Sequence, residues 1–240
     1  MQTNGSKIRP QLYARTCGFL YLYIFVAGIF AESFVRDRLV VPDDASATAA
    51  NIISNESLFR LGFTGEYLHL ACDVAIAVLL YALLKPVNAY LSLMAAFFRL
   101  TCDVILAVAG IVQFAALRLL GQGGYLSSFP PTQRHSMALL AMRLHGDGYA
   151  VCLFFFSFAC LLGGYLVYRS TFIPQVIGVL LAIAGLCYLT LTLSHFLSPH
   201  VAAALSPGIF VPIVIGEFSL VVWLIVRGVN VPKWETRAAS

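Results

Sequence analysis

Six runs of about 20 predominantly apolar residues, near 16–35, 62–84, 89–115, 149–168, 174–195 and 209–227, leave this chain very few ways to fold. A hydrocarbon core about 30 Å thick is crossed by a helix of about 20 residues, each rising about 1.5 Å. Lipid offers nothing to hydrogen-bond exposed backbone groups, so each run has to satisfy its own N–H and C=O groups as an α-helix. Only 11% of the 240 residues are charged, against about 25% in average domains. The predicted fold class is therefore all-α, a polytopic membrane helical bundle with six transmembrane helices. Residues 1–15 form a cytoplasmic N-terminal segment, 16–228 a single six-helix domain and 229–240 a cytoplasmic C-terminal tail.

Orientation follows from the basic residues. Lys7, Arg9 and Arg15 precede the first span, Lys85 follows the second, Arg169 the fourth, and Arg227, Lys233 and Arg237 the last. Alternate loops thus share the basic bias, and the positive-inside rule puts both termini in the cytoplasm. The opposite loops hold Asp37, Asp43, Asp44 and Glu56, although Arg36, Arg38, Arg60, Arg118, Arg134 and Arg143 lie there too. The first span is read as a retained anchor rather than a secretion signal. A net charge of +4 is too small to suggest nucleic-acid binding; the expected partners are membrane lipids and a small or amphiphilic ligand. Cys17, Cys72, Cys102, Cys152, Cys160 and Cys187 all fall inside apolar spans, where they are expected as small buried hydrophobes. No disulfide framework or CxxC site is visible.

Between the spans, Val41-Pro42-Asp43-Asp44 reads as a turn into a helix start, because Asp accepts hydrogen bonds from first-turn amides. Ile52, Ile53, Leu58 and Phe59 then form the apolar side of a short outer surface helix. Lys85-Pro86-Val87-Asn88 makes a tight turn, since proline cannot continue the helix, and predicts antiparallel neighbours on either side. After Gly121, Gly123, Gly124 and Pro130-Pro131, the spacing of Met137, Leu140, Ala141 and Leu144 predicts a second surface helix ending at Gly146-Asp147-Gly148. Gly163-Gly164, Gly178 and Gly185 suit close helix approach. Tyr21, Tyr23, Tyr165, Tyr168 and Trp223 are read as membrane-belt or lipid-facing residues.

Function is sought among ionisable groups at bilayer depth, where each costs about 2.5 to 3.5 kcal/mol on insertion scales. Glu66, His69 and Asp73 share one stripe of the second span, being spaced i, i+3, i+7. Arg99 and Asp103 lie four apart on the third span, so Arg99 pairs with either Asp103 or Asp73. Glu217, behind Pro212 and Gly216, is either protonated or turned toward those charges. Together these six residues are the candidate lining of an outward-opening cavity that binds or moves a small or amphiphilic ligand, or relays protons. His69, His145 and His195 end three different spans and form a candidate metal set for zinc, with haem as the other cofactor of histidine pairs. A metal there would suit hydrolysis of a lipid-like substrate. The bland alternatives are that His145 and Asp147 cap helix ends and that the buried charges only fix packing in a structural or regulatory scaffold. Whether the chain is an enzyme stays open at this point.

One resemblance covers Gly18 to about Gly228. Asn51-Ile52, Leu58-Phe59-Arg60-Leu61-Gly62, Leu80-Tyr81-Ala82-Leu83-Leu84-Lys85-Pro86-Val87, Gly164-Tyr165-Leu166 with Arg169-Ser170, Ile173-Pro174-Gln175 with Gly178, Ala184-Gly185-Leu186 with Tyr188-Leu189, and Gly216-Glu217 with Trp223-Leu224 and Gly228 carry it. In these the chain resembles a bacterial integral-membrane family catalogued as domain of unknown function 4386. The resemblance implies a six-helix protein of the bacterial inner membrane and no particular reaction. Among the matched polar positions it favours Arg60, Arg169 and Glu217.

Overall fold

A computed structural model of the protein describes residues 9–121 and 123–239, and every regular element among them is helical. Lys7 and the rest of 1–8, and Ser240 at the end of the tail, lie outside the described residues. The order is α1 (Pro10–Ile29), a π-helical segment (Phe30–Arg36), α2 (Asp37–Leu39), α3 (Ala45–Ser54), α4 (Glu56–Leu84), α5 (Ala89–Leu120), a 3-10 turn (Gly124–Leu126), α6 (Pro131–Ser170), α7 (Gln175–Leu197), α8 (Pro199–Val226) and α9 (Val231–Ala239). Among the described residues six segments are long and apolar enough to cross a membrane: Pro10–Leu39, Glu56–Leu84, Ala89–Leu120, Pro131–Ser170, Gln175–Leu197 and Gly208–Val226. The chain divides into two compact units, one of Met1–Leu22, Asp73–Leu100 and Phe154–Ser240, the other of Tyr23–Cys72 and Thr101–Leu153.

In the first unit, missing side chains bring helices together. A Cβ on Gly164 would stand 2.7 Å from the Gly178 carbonyl oxygen, and one on Gly178 would stand 2.5 Å from the Tyr168 amide nitrogen. At Gly185 and Gly216 the obstructing atoms are the carbonyl oxygens of Ser157 and Leu180, at 2.9 and 2.5 Å. Without a hydrophobic drive between helices in lipid, such close backbone contact supplies the packing. The Lys85–Asn88 turn forms as expected, with Val87 N bonded to Leu84 O at 2.9 Å and Asn88 Oδ1 accepting from Leu91 N at 3.0 Å. The tail is ordered as α9, whose buried Trp234 donates Nε1–H to the Leu83 carbonyl at 2.9 Å.

In the second unit, Asp44 caps α3 by accepting from Ala47 N at 2.8 Å. The expected first surface helix is in fact two elements. Ile52 on α3 and Phe59 on α4 are both fully buried in one core with Val35, Leu39, Leu117 and Met142, whereas Ile53 is exposed. The expected second surface helix does not end at Gly146-Asp147-Gly148; α6 runs unbroken from Pro131 to Ser170. A helical glycine costs only about 1 kcal/mol relative to alanine, and here Gly148 admits Ala109, whose Cβ would lie 2.7 Å from an added one. His145 and Asp147 are accordingly mid-helix residues, not caps. The cysteine expectation also needs correction: Cys102 on α5 and Cys152 on α6, with Cα atoms 4.2 Å apart, are joined as a disulfide.

Candidate functional site

Each unit holds a buried polar cluster. In the first, Arg99 on α5 donates Nε–H to Asp73 Oδ1 on α4 at 2.8 Å, and its Nη2 reaches the same oxygen at 2.5 Å. Asp73, not Asp103, is thus its ion-pair partner. The guanidinium carbon lies 4.6 Å from the Tyr21 ring centroid and 5.1 Å from that of Phe156, so aromatic faces replace part of its lost hydration. Arg99 Nη1 also donates to the Tyr21 hydroxyl at 3.4 Å. Tyr21 in turn donates to Glu217 Oε2 at 2.7 Å, and Tyr188 donates to Glu217 Oε1 at 2.5 Å. Glu217 therefore turns inward, into a chain running Asp73, Arg99, Tyr21, Glu217, Tyr188. Gly216 beside it lets α8 approach α7 closely enough for Tyr188 to reach. The cavity beside Arg99 and Cys160 measures only about 30 Å³, about one water's share of liquid volume and far below an organic ligand.

The second cluster is built around Arg36, the last residue of the π-helical segment. Gly62 on α4 admits Val35, which an added Cβ would meet at 2.8 Å. One turn along α4, Glu66 Oε2 accepts from Arg36 Nη1 at 2.9 Å. Arg36 Nε also donates to Glu32 Oε2 at 2.8 Å, and the guanidinium stands 5.9 Å from the Tyr149 ring centroid. His145 on α6 completes the group, its Nε2 3.9 Å from Glu66 Oε1. That is beyond hydrogen-bond length.

What separates this cluster from the first is unfilled valence. Glu66 Oε1 and both ring nitrogens of His145 are buried without a protein hydrogen bond of good geometry, and the Ala109 carbonyl lies beside the His145 ring. Gln113 Oε1 is in the same condition. Ala109 packs on Gly148, so one turn further along two antiparallel helices brings Gln113 and His145 to the same level. Buried polar groups without partners cost about 1 to 3 kcal/mol each, so such a cluster calls for an explanation, whether a bridging water or a functional group.

Of the six residues expected to line one cavity, Asp73, Arg99 and Glu217 belong to the first unit and are brought together; Glu66, His69 and Asp103 belong to the second. Asp103 is buried and His69 half-buried. Arg60 is exposed and paired with Glu56 at 2.7 Å, and Arg169 is exposed. Among the described residues no group of three or more His, Cys, Asp or Glu side chains could hold a metal ion; of the expected set of His69, His145 and His195, His145 faces Glu66 and His195 is exposed, edge-on to Phe196. Tyr21, read as a belt residue, is instead almost fully buried. Arg36 and Gln113 were not singled out. The signal for Arg36 was its i+4 spacing from Glu32, hidden by ending the first span at residue 35.

A family model described as "Domain of unknown function (DUF4386)" matches residues 16–228. No curated protein and no solved structure matches the chain. A match over nearly the whole helical region, on a chain with six membrane-length apolar helices, places the protein: it belongs to the DUF4386 family.

Proposed function

We propose that the protein is a proton-binding multi-pass membrane protein in which Glu66 and His145 take up and release a proton as a small or amphiphilic ligand is bound or moved. The observation that carries this is the 3.9 Å separation of Glu66 Oε1 and His145 Nε2, both buried and neither hydrogen-bonded. A neutral imidazole always presents one N–H and one bare nitrogen. Protonation gives the ring a second N–H and a charge, which the free Glu66 oxygen attracts across a shift of about 1 Å. Arg36 cannot take that place, because it already engages the other carboxylate oxygen and Glu32. The π-helical segment supporting Arg36 favours the same reading, since such segments occur frequently at functional sites. His69 and Asp103, on the two helices joined by the Tyr67 hydroxyl and the Ala107 carbonyl at 2.8 Å, are the candidates for the ligand side. In this reading the protein sits in a bacterial inner membrane with both termini cytoplasmic, as the basic residues Arg9, Arg15, Lys85, Arg169, Arg227, Lys233 and Arg237 suggest.

The test is proton uptake by the detergent-purified protein, back-titrated between about pH 5 and 8, the range in which histidine changes charge. His145→Asn is expected to lower uptake by up to about one proton per chain, most clearly at the acidic end of the titration. Glu66→Gln is expected to shift the same proton's release to lower pH. Uptake curves for both variants that overlay the parent would sink the reading.

A further inference from the structure

A second feature lies wholly in the first unit and does not depend on the proton site. Between α7 and α8 runs an apolar groove of about 670 Å³, lined by Ile177, Leu180, Ile215, Phe218 and Val222 among others. It extends from the close contact at Gly216 and Leu180 to the ends of both helices at Pro174 and Arg227. One charged group breaks its apolar wall. Arg227 stands exposed at the rim, and its side chain makes no ion pair among the described residues. Trp223, one turn deeper on α8, lends its ring to the wall, and its indole Nε1–H is buried and closed to the groove. Ser219, a turn deeper again, donates to the Gly216 carbonyl at 2.8 Å and is already satisfied.

We infer that this groove is a binding site for an anionic phospholipid, with an acyl chain along the α7–α8 wall and the headgroup phosphate on Arg227. The layout suits that occupant: an apolar wall between two helices ends at a cation, the order in which a phospholipid presents acyl chain and phosphate. Charge favours an anionic headgroup over a zwitterionic one. The groove ends where α9 follows with Lys233 and Arg237 against a single acid, Glu235. Each basic residue near a membrane surface adds to the attraction of anionic lipid, and a guanidinium matches phosphate geometry better than an ammonium.

Trp223 is also the reporter. The chain has two tryptophans, and Trp234→Phe leaves Trp223 alone. In phosphatidylcholine vesicles containing a minority of lipid brominated on its acyl chains, brominated phosphatidylglycerol is expected to quench Trp223 with about fivefold higher apparent affinity than brominated phosphatidylcholine. Arg227→Gln should clearly reduce that preference, leaving only the share owed to Lys233 and Arg237, with quenching by phosphatidylcholine unchanged. Equal quenching by the two lipids in the Arg227 protein would mean an ordinary boundary lipid and overturn the inference, as would a preference undiminished by Arg227→Gln. Should Trp234→Phe fail to fold, the difference between the parent and Trp223→Phe isolates the same signal.

Discussion

Asp73 and Glu66 are both buried carboxylates on α4, each held by an arginine, yet the clusters they anchor are of opposite kinds. Around Asp73 the polar groups satisfy one another: Arg99 between a carboxylate and aromatic faces, Glu217 capped on both oxygens by tyrosine hydroxyls. Around Glu66 the arrangement stops short, with one carboxylate oxygen and a whole imidazole left over. A closed network in low dielectric fixes geometry, because breaking any link exposes an uncompensated charge. An open one, in the proposed reading, keeps a proton acceptor at the cost of stability. The difference teaches that burial of a charged residue in a membrane helix does not by itself mark function; what marks it is whether the neighbours fill its valence.

The comparison breaks first at Arg99. Arg99→Met strands Asp73 and is expected to cost about 3 to 5 kcal/mol, read as a loss of resistance to unfolding in a denaturing detergent. Adding Asp73→Leu should recover most of that loss, as replacing both members of a buried pair often does. A single variant as stable as the parent would show the first network to be dispensable. Glycines give a smaller contrast. Gly178→Ala, whose added Cβ would lie 2.5 Å from the Tyr168 backbone, should destabilise by about 1 to 3 kcal/mol. Gly146→Ala in the second unit meets nothing within 4 Å and should stabilise by up to about 1 kcal/mol; the same sign for both would refute the packing argument. Smallest is Glu66→Gln. Arg36 keeps Glu32 at 2.6 Å and is not left without a counter-charge, so the large cost of stranding a buried partner is avoided while proton uptake shifts. A loss as large as that of Arg99→Met would make the second cluster structural like the first.

Much of this was legible before any coordinates. The six spans, the Asp44 cap, the Lys85–Asn88 turn and the glycine contacts at Gly164, Gly178 and Gly185 all rest on local chemistry, which sequence carries directly. The continuous α6 did not, because Gly146 and Gly148 look like helix breakers until Ala109 is seen against one of them. The disulfide between Cys102 and Cys152 was equally hidden, being a meeting of two helices fifty residues apart.

The candidate sites divide along the same line. That Asp73, Arg99, Glu66 and Glu217 must be partnered or costly follows from charge in an apolar run and needs no structure. Which partner each takes is a matter of helix register and rotation, and only packing sets those. Tertiary structure gave Arg99 to Asp73 rather than to Asp103, drew Tyr21 from the expected membrane belt into the core, and left Glu66 and His145 3.9 Å apart. Composition decides that a chain like this folds within lipid, because transfer free energies add residue by residue. Hydrogen bonds between helices depend on ångström-scale placement, so their pattern belongs to the folded bundle alone.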